Sequence, residues 1–448
     1  MVSIVSALKR IKRELGSILD RCHINRLCEA AGYHPRDAGP LDPATTVALF
    51  AQQVLQGNIS CAAVRHLDDK TFTAQAYCAA RMRLPLQVVR QLACDASQQL
   101  CVTVDSQEQY RFGPHRVLLI DSSSFSMPDT PELQGHFGQP GMQKAGCGFP
   151  IAHWLVLFNA RTGLAIDTLT APLRTHEASL VGRIQQQTQA QDLVVGDDSF
   201  GTYAHLSLLL GRQMHGLFPV HHHRIVDFTP HRPCIEPGKG KAAKGVPRSR
   251  WVKGLGHNDQ LVQWLKPANR PDWMTPQQWR SVPDSILVRE VRRTIHRFRR
   301  RPVRLTIVTT LLDPKAYPAK ELFKLRMRRW DVETNFRHLK TTMKMEVLHC
   351  QTVDGVLKEM WMFLLVYNLV RMIMLEAAAR QGVEADRISF ADALNWMRRA
   401  KAGDELPKLI VVPHRPDCVE PRAVKRRRDR YARMNKPRWK MREEMLAA

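Results

Sequence analysis

The sequence predicts a mixed α/β protein whose sheet-forming centre is flanked by helical regions. Three observations lead to this prediction. Between residues 111 and 220, short apolar runs that end in polar residues alternate with helical apolar spacing, as expected for packed strands and helices. Residues 1–110 and 319–410 show mainly helical spacing. Residues 221–318 combine strand-like runs with a basic stretch rich in Pro and Gly, which indicates a β-rich insertion.

The elements of the centre follow from its apolar runs. The run at 117–120 ends in Asp121 and the run at 193–196 ends at Asp197, which is typical of buried strands with polar ends. The predicted order is three strands, a helix, a strand, a helix and a strand, at 117–120, 151–158, 164–169, 175–191, 193–196, 203–211 and 216–220. Both aspartates therefore lie at strand ends, where open α/β sheets bind their ligands.

Composition limits the class of partner. The chain has 448 residues, with 67 Lys and Arg against 42 Asp and Glu, and its formal net charge is +25. Such a charge predicts a polyanionic partner, either nucleic acid or an anionic membrane surface. No uncharged apolar run reaches the roughly 18–20 residues of a membrane span, and the best candidate, 361–375, predicts a buried helix. Ten cysteines without metal-binding spacing predict reduced thiols in the cytoplasm.

Spacing and charge divide the chain into six predicted segments. Positive charge on the N-terminal helices fits either a solvated face or a DNA-binding domain, and charge alone does not separate the two. The predicted segments are a helical N-terminal segment at 1–110 that is a candidate DNA-binding domain, the first part of the α/β core at 111–220, a basic β-rich insertion at 221–318, a core helix at 319–345, C-terminal helices at 346–410 and a basic tail at 411–448. Within the insertion, 230–256 is predicted to be a long basic loop.

Three carboxylates are the candidates for chemistry. Asp121 and Asp197 end buried strands, where a charged group costs desolvation free energy unless a cation or hydrogen bonds compensate it. Glu333 lies in the predicted core helix. Mg²⁺ takes oxygen ligands from few carboxylates, and two such ions roughly 3.5–4 Å apart can activate an attacking oxygen and stabilise a leaving one. The alternative is structural, because Asp commonly caps turns and helix starts at strand ends.

The helix around Glu333 places charges together. At about 100° per residue, one face carries two cations, the glutamate and an aromatic ring: Arg329, Glu333, Phe336 and Lys340. One interpretation is a surface Arg–Glu pair, which contributes only about 0.3–0.5 kcal/mol. The functional interpretation is a metal-binding glutamate between two phosphate-binding cations. Trp330 can stack on a base, but packing in the core is the favoured interpretation.

In this helix the sequence resembles the DDE transposases of the bacterial insertion-sequence-four family. The family signature reads Tyr-x2-Arg-x3-Glu-x6-Lys, and its last three positions match Arg329, Glu333 and Lys340. Arg326 stands in the Tyr position, where it is expected to replace the tyrosine with a phosphate contact.

The aspartates extend the resemblance. Asp121 lies in a stretch similar to that of the first family Asp, with Pro128-Asp129 just downstream. The second family Asp usually reads Asp-Arg-Gly-Phe, and here Asp197 is followed by Asp198, Ser199 and Phe200. Asp197 is therefore the match, and Asp198 is a minor rival for the ligand role. By motif order, the resemblance covers roughly residues 40–440.

The resemblance implies a ribonuclease-H-like catalytic core with a β-rich insertion. It implies that Asp121, Asp197 and Glu333 bind two Mg²⁺ ions, with Mn²⁺ as a substitute, and perform cut-and-paste transposition at terminal inverted repeats. In that reaction a freed 3′-hydroxyl forms a DNA hairpin, which is reopened and joined to target DNA. The expected partners are double-stranded DNA and a second copy of the chain on paired ends, with no membrane. The expected DNA contacts are Arg326, Arg329, Arg337 and Lys340.

Other interpretations stay open. The chain can be a catalytically decayed DNA-binding repressor of transposition, or a nuclease that cuts without joining. The triplet 221–223, His-His-His, can bind a metal, although a turn or a DNA-facing patch is the favoured interpretation. Eight arginines between residues 289 and 304, and eleven cations between 422 and 442, are expected to contact phosphates. Trp251 is expected in the core of the insertion, with a hairpin-stabilising role as the alternative.

Overall fold

The computed structural model of the chain describes residues 19–34, 39–67, 71–105, 111–175, 177–183, 188–235, 245–297, 300–401, 404–413 and 436–447. Several predictions fall partly outside these residues. They concern the start of the N-terminal segment, part of the helix at 175–191, part of the basic stretch at 230–256 and most of the cationic tail.

Helices form the N-terminal segment, as predicted. Polar side chains cap the first four by accepting a backbone N–H: Asp20, Asp42, Ser60 and Thr73. Pro85 follows the fourth helix, and its missing N–H separates that helix from the fifth. The helices are α1 (Arg21–Ala30), α2 (Pro43–Leu55), α3 (Cys61–Val64), α4 (Ala74–Arg83) and α5 (Leu86–Asp105).

The central region contains the strands that the apolar runs predict and the helix predicted at 203–211. The helix predicted over 175–191 was too long, because it ends at Val181 and the described residues 188–191 are not helical. The structure also has one short strand and one short helix that were not predicted. Gly113 allows the tight turn between the short strand and the strand at 115, and Thr130 caps the helix that begins at 131. The elements are β1 (Arg111–Phe112), β2 (His115–Ser126), α6 (Pro131–Phe137), β3 (Ile151–Asn159), β4 (Ala165–Pro172), α7 (Glu177–Val181), β5 (Leu193–Val195), α8 (Tyr203–Gly211) and β6 (His215–Pro219).

Strand order identifies the core. The strands run β4-β3-β2-β5-β6, with β2, β3 and β4 antiparallel and β5 and β6 parallel to β2. Three antiparallel strands followed by two parallel ones, with β2 as the central strand, is the arrangement of a ribonuclease-H-like core. The predicted fold class is therefore confirmed.

The insertion extends the same sheet. Its elements are β7 (Ser249–Gly256), β8 (Asp259–Leu265), α9 (Pro276–Ser281), β9 (Ser285–Arg297) and β10 (Arg300–Thr309). β10 pairs with β6, and the order continues β10-β9-β8-β7. The prediction of a loop over 230–256 was wrong for β7, whose exposed basic residues hide the alternation that marks a strand.

Two buried charged side chains of β9 hold β8 and β9 of the insertion together. Glu290 on β9 is fully buried and accepts hydrogen bonds from Trp264 Nε1 and Gln260 Nε2, each at 2.8 Å. The neighbouring Arg289 is also buried and pairs with Asp259 through both carboxylate oxygens, at 2.8 and 2.6 Å. Arg289 is therefore a structural residue, and the expectation that it contacts phosphate was wrong.

The segment after β10 is helical but interrupted. The continuous helix predicted over 319–345 is divided at residues 328–329 and closes in a π-helical turn at His338–Thr342. π-turns inside helices are frequent at functional sites, because the extra residue re-aims the side chains that follow. The remaining helices are α10 (Ala319–Met327), α11 (Trp330–Arg337), α12 (Val353–Gln381), α13 (Phe390–Arg399) and α14 (Arg438–Ala447).

Helix α12 joins the N-terminal helices to the sheet. By length and composition it could cross a membrane, yet 89% of its most apolar window is buried inside the protein, as the sequence predicted for a core helix. Asn368 on α12 bonds to Ser97 of α5 and to the backbone of Ala165 on β4, at 2.8–2.9 Å. Arg371 donates to the Thr162 carbonyl. These contacts hold α12 between α5 and the β3–β4 hairpin.

Candidate active site

Sheet register brings the two aspartates side by side. β2 and β5 are parallel neighbours, and Leu119 pairs with Val195. Asp121 and Asp197 each lie two residues beyond that pair, so they lie side by side where the parallel pairing stops. The prediction that Asp121 ends its strand was wrong, because β2 continues to Ser126 by pairing with β3. A side chain at 196 would press against Ile120 and Phe200, because a Cβ there lies 2.7 and 2.9 Å from them, which explains Gly196 before the aspartate.

Helix α11 carries Glu333 to the aspartates. The helix packs against β2, and its Phe336 contacts Phe158 of β3 edge to face with ring centroids 5.4 Å apart. Arg329, just before α11, bridges the two sides. Its guanidinium lies 3.0 Å from Asp121 Oδ2 and 3.0 Å from Glu333 Oε1. The structure therefore brings Asp121 and Glu333 together through one arginine.

The surroundings of Asp121 disfavour its ionised form. Burial raises the pKa of the Asp121 carboxyl to about 6. The Ser122 N–H and the Arg329 guanidinium act in the opposite direction, and the negative charges of Asp197 and Glu177 raise this pKa further. Burial therefore disfavours the ionised form of Asp121, and a divalent cation beside it would favour that form.

A fourth carboxylate, Glu177, was missed by the sequence analysis. Glu177 begins α7 and accepts hydrogen bonds from the hydroxyls of Ser122 and, at 3.1 Å, Ser199. Ser199 Oγ also lies 2.6 Å from Asp197 Oδ1. His153 Nε2 lies 2.7 Å from Ser122 Oγ and 3.3 Å from Glu177 Oε1.

Through Ser122 and Ser199, this network links the part of β2 that carries Asp121 to the turn after β5 that follows Asp197. The hydrogen bond from His153 lowers the pKa of Glu177 to about 2 and correspondingly raises the pKa of His153. Glu177 is therefore ionised, and its carboxylate accepts hydrogen bonds from both serines. One signal in the sequence was available, namely a histidine inside the otherwise apolar run 151–158.

Arg326 lies at the edge of the carboxylate cluster. Burial lowers its pKa to about 10, and Arg329 adds to this effect, while Asp197, Asp198 and Asp121 oppose it. Among the described residues, the buried Nε atoms of Arg326 and Arg329 have no hydrogen-bond partner.

The predicted helix face is confirmed for Arg329 with Glu333 but wrong for Phe336, which turns to the core. Lys340 lies in the π-turn, with its ammonium 4.9 Å from the Phe125 ring, and burial lowers its pKa. Phe125 is four residues along β2 from Asp121, or roughly 13 Å at 3.3 Å per residue. Lys340 therefore lies beside β2 at a distance from Asp121 rather than within the carboxylate cluster.

Two other residues of α11 face outward. Arg337 is exposed, as a DNA contact requires. Trp330 is 48% exposed, so the interpretation of Trp330 as a core residue was wrong. Because the helix is interrupted at 328–329, the helical periodicity assumed over 319–345 does not continue to Trp330, and this ring lies partly at the surface.

The strand order and the positions of the aspartates define a class of enzyme. They describe a ribonuclease-H-like enzyme of phosphoryl transfer, with an aspartate on each of two adjacent strands and a glutamate on the facing helix. Residues 112–369 match the transposase DDE domain, and the chain belongs to this family. The resemblance stated from the sequence is confirmed at this level.

Two individual proteins are similar to the chain. One is the transposase InsG for insertion sequence element IS4 of Escherichia coli (strain K12), which is 24% identical over 385 residues, covering 79% of this chain and 76% of that protein. The other is the piggyBac transposase in a cryo-EM structure of its synaptic complex with hairpin DNA. It has 8% identity and a TM-score of 0.44, and the match covers 89% of this chain and 80% of that one.

Proposed function

We propose that the chain excises and integrates an insertion sequence by cut-and-paste transposition at terminal inverted repeats. The observation that supports this proposal is the meeting of Asp121, Asp197 and Glu333 at one sheet edge, with Arg329 between two of them. The family of the chain supports phosphoryl transfer as the reaction class.

The donor set fits a hard divalent cation. Asp121, Asp197 and Glu333 would hold Mg²⁺, or Mn²⁺ in its place, because all three offer carboxylate oxygens and none offers nitrogen or sulfur. When bound, such ions supply activation of the attacking oxygen and stabilisation of the leaving oxygen. The raised pKa of Asp121 fits this role, since a cation beside it would keep the carboxylate ionised.

Arg329 and Arg326 position the DNA phosphate. Arg329 can present a planar fork of donors to a phosphate, and its place between Asp121 and Glu333 puts that fork at the reacting group. Arg326 adds a second guanidinium at the side of Asp197. Lys340 contacts a phosphate further along the strand, and the exposed Trp330 stacks on DNA beside the site.

The rest of the DNA surface is supplied by the basic insertion and by a second copy of the chain on the paired ends. Arg293 on β9 and Arg304 on β10 are exposed on adjacent strands, where they can contact the backbone. Sequence-independent contacts of this kind give affinity that falls steeply with salt.

Product analysis tests the function. The protein is incubated with Mg²⁺, linear DNA that carries the element ends, and a supercoiled target plasmid. Transposition predicts nicked ends, hairpins and then plasmid joined to the element. Nicks or breaks without joined product would indicate a nuclease instead.

A decayed DNA-binding repressor is the second candidate. It is favoured by the two departures from the family motifs, Arg326 in the Tyr position and Asp198 after Asp197. It predicts stable paired-end complexes that yield no cut product with either metal.

A further inference from the structure

A second group of metal-ligating side chains lies beside the carboxylate site. Asp198, His221 and His222 each offer one ligand atom, and these atoms all lie within 4.8 Å of one another. His222 Nδ1 is 3.6 Å from Asp198 Oδ2. The side chains of His222 and Asp198 are 67% and 46% exposed, so an ion can reach them from solvent.

Sheet topology explains why these distant residues meet. β5 and β6 are parallel neighbours, and Val195 pairs with Leu217. Asp198 follows β5 in a 3₁₀ turn, and His221 and His222 follow β6. The carboxyl ends of parallel strands emerge at the same edge, so the turn after β5 faces the segment with which the insertion begins.

The imidazole rings of this segment lie close together. The ring centroids of His221 and His222 are 4.2 Å apart, and the ring of His223 is 4.0 Å from that of His222. In its neutral form each imidazole can offer a nitrogen lone pair to a metal.

We propose that Asp198, His221 and His222 bind one transition-metal cation of the Zn²⁺, Co²⁺ and Ni²⁺ class. Two imidazole nitrogens with one carboxylate oxygen form a borderline donor set that these ions prefer over Mg²⁺. The neighbouring carboxylate cluster offers oxygen alone and suits hard cations, so the two sites differ in the metal they select.

The bound ion would connect two parts of the chain. It would join the turn next to Asp197 to residues 221–222, where the chain leaves the core and enters the insertion. The ion would therefore restrain the backbone that carries Asp197 without occupying the carboxylates. This role accounts for Asp198, which departs from the family motif.

Spectroscopic titration tests the site. Full-length protein is titrated with Co²⁺ in excess Mg²⁺, which keeps the carboxylate site occupied, and visible d–d absorption and calorimetry report binding. One Co²⁺ per chain, displaced by Zn²⁺, is expected. His222→Ala and Asp198→Asn are each expected to weaken binding by more than about tenfold, since loss of a supporting group alone costs a metal site roughly 10–100-fold.

Two controls keep the result specific. His66→Ala removes an exposed histidine of the N-terminal helices and should leave the titration unchanged. Glu333→Ala should also leave it unchanged, so loss of transposition and loss of this site are distinguishable. No Co²⁺ binding, or binding of equal affinity in His222→Ala, Asp198→Asn and wild type, would overturn the proposal.

Discussion

Glu177→Gln tests whether the network beneath the aspartates supports both fold and chemistry. The pKa of Glu177 falls from its ordinary value of 4.5 to about 2, and its side chain is only 26% exposed. At 1.36 kcal/mol per pKa unit this is about 3 kcal/mol of stabilisation as an upper figure. Gln keeps the size and part of the hydrogen bonding, so we expect a loss of about 1–3 kcal/mol in the free energy of unfolding.

The pH dependence of this stabilisation has a definite sign. The folded-state pKa of Glu177 lies below its ordinary value, so the stabilisation is complete above about pH 4.5 and is lost as the pH falls towards 2. The difference in unfolding free energy between wild type and Glu177→Gln should therefore be largest between these acidic pH values and the raised pKa of His153. It should shrink as the pH falls towards 2, and shrink again as the pH rises through the pKa of His153, whose protonated form is the partner of Glu177. Urea unfolding at several pH values measures it.

Chemistry should change with stability. Ser122 and Ser199 donate to the two different oxygens of Glu177, and Gln replaces one of these acceptors with an NH2 donor. Asp121 and Asp197 are then held less firmly, and we expect single-turnover cleavage to slow by roughly 10–100-fold with a higher Mg²⁺ requirement. The matched control is Glu376→Gln, which removes a surface pair with Arg380 and should cost no more than about 0.5 kcal/mol and no activity. Cleavage by Glu177→Gln at the wild-type rate and Mg²⁺ dependence would refute the reasoning.

Three further predictions follow from contacts elsewhere. Asn368→Leu leaves the Ala165 backbone groups unpaired inside the core, so urea unfolding should show a loss of about 1–3 kcal/mol, and an unchanged stability would contradict this. Arg289→Ala leaves Asp259 without its buried partner, and we expect a loss of roughly 3–5 kcal/mol in the same measurement. Trp330→Ala should weaken binding to element ends by about 1 kcal/mol in a gel-shift titration, and equal affinity would exclude stacking.

The parts of the fold that depend on local pattern could be predicted. Apolar runs located β2, β3 and β5, and Asp197 follows β5 as predicted, whereas Asp121 lies within β2 because this strand continues to Ser126. Helical periodicity paired Arg329 with Glu333, which the 3.0 Å contact confirms. Each of these inferences uses residues close together in the chain, where the backbone geometry fixes their relation.

Relations set by tertiary contacts could not be predicted. Glu177 enters the site because the start of α7 lies beside Ser122 and His153, and no spacing in the sequence encodes that contact. The break before α11 has no Pro or Gly to mark it, so Trp330 was expected in the core. The cluster of Asp198 with His221 arises from the register of β5 and β6, which becomes known only with the strand order.

The most direct test of the carboxylate site compares two variants of one helix. Glu333→Ala and Asp331→Asn each remove one negative charge from α11, but Asp331 pairs with Arg328 outside the cluster. Cleavage of DNA carrying the element ends is measured with Mg²⁺, beside a gel-shift assay for DNA binding. We predict that Glu333→Ala binds the ends and produces no nick or hairpin, while Asp331→Asn cleaves as wild type does. Cleavage by Glu333→Ala at the rate of Asp331→Asn would contradict the assignment of Asp121, Asp197 and Glu333 as the catalytic carboxylates.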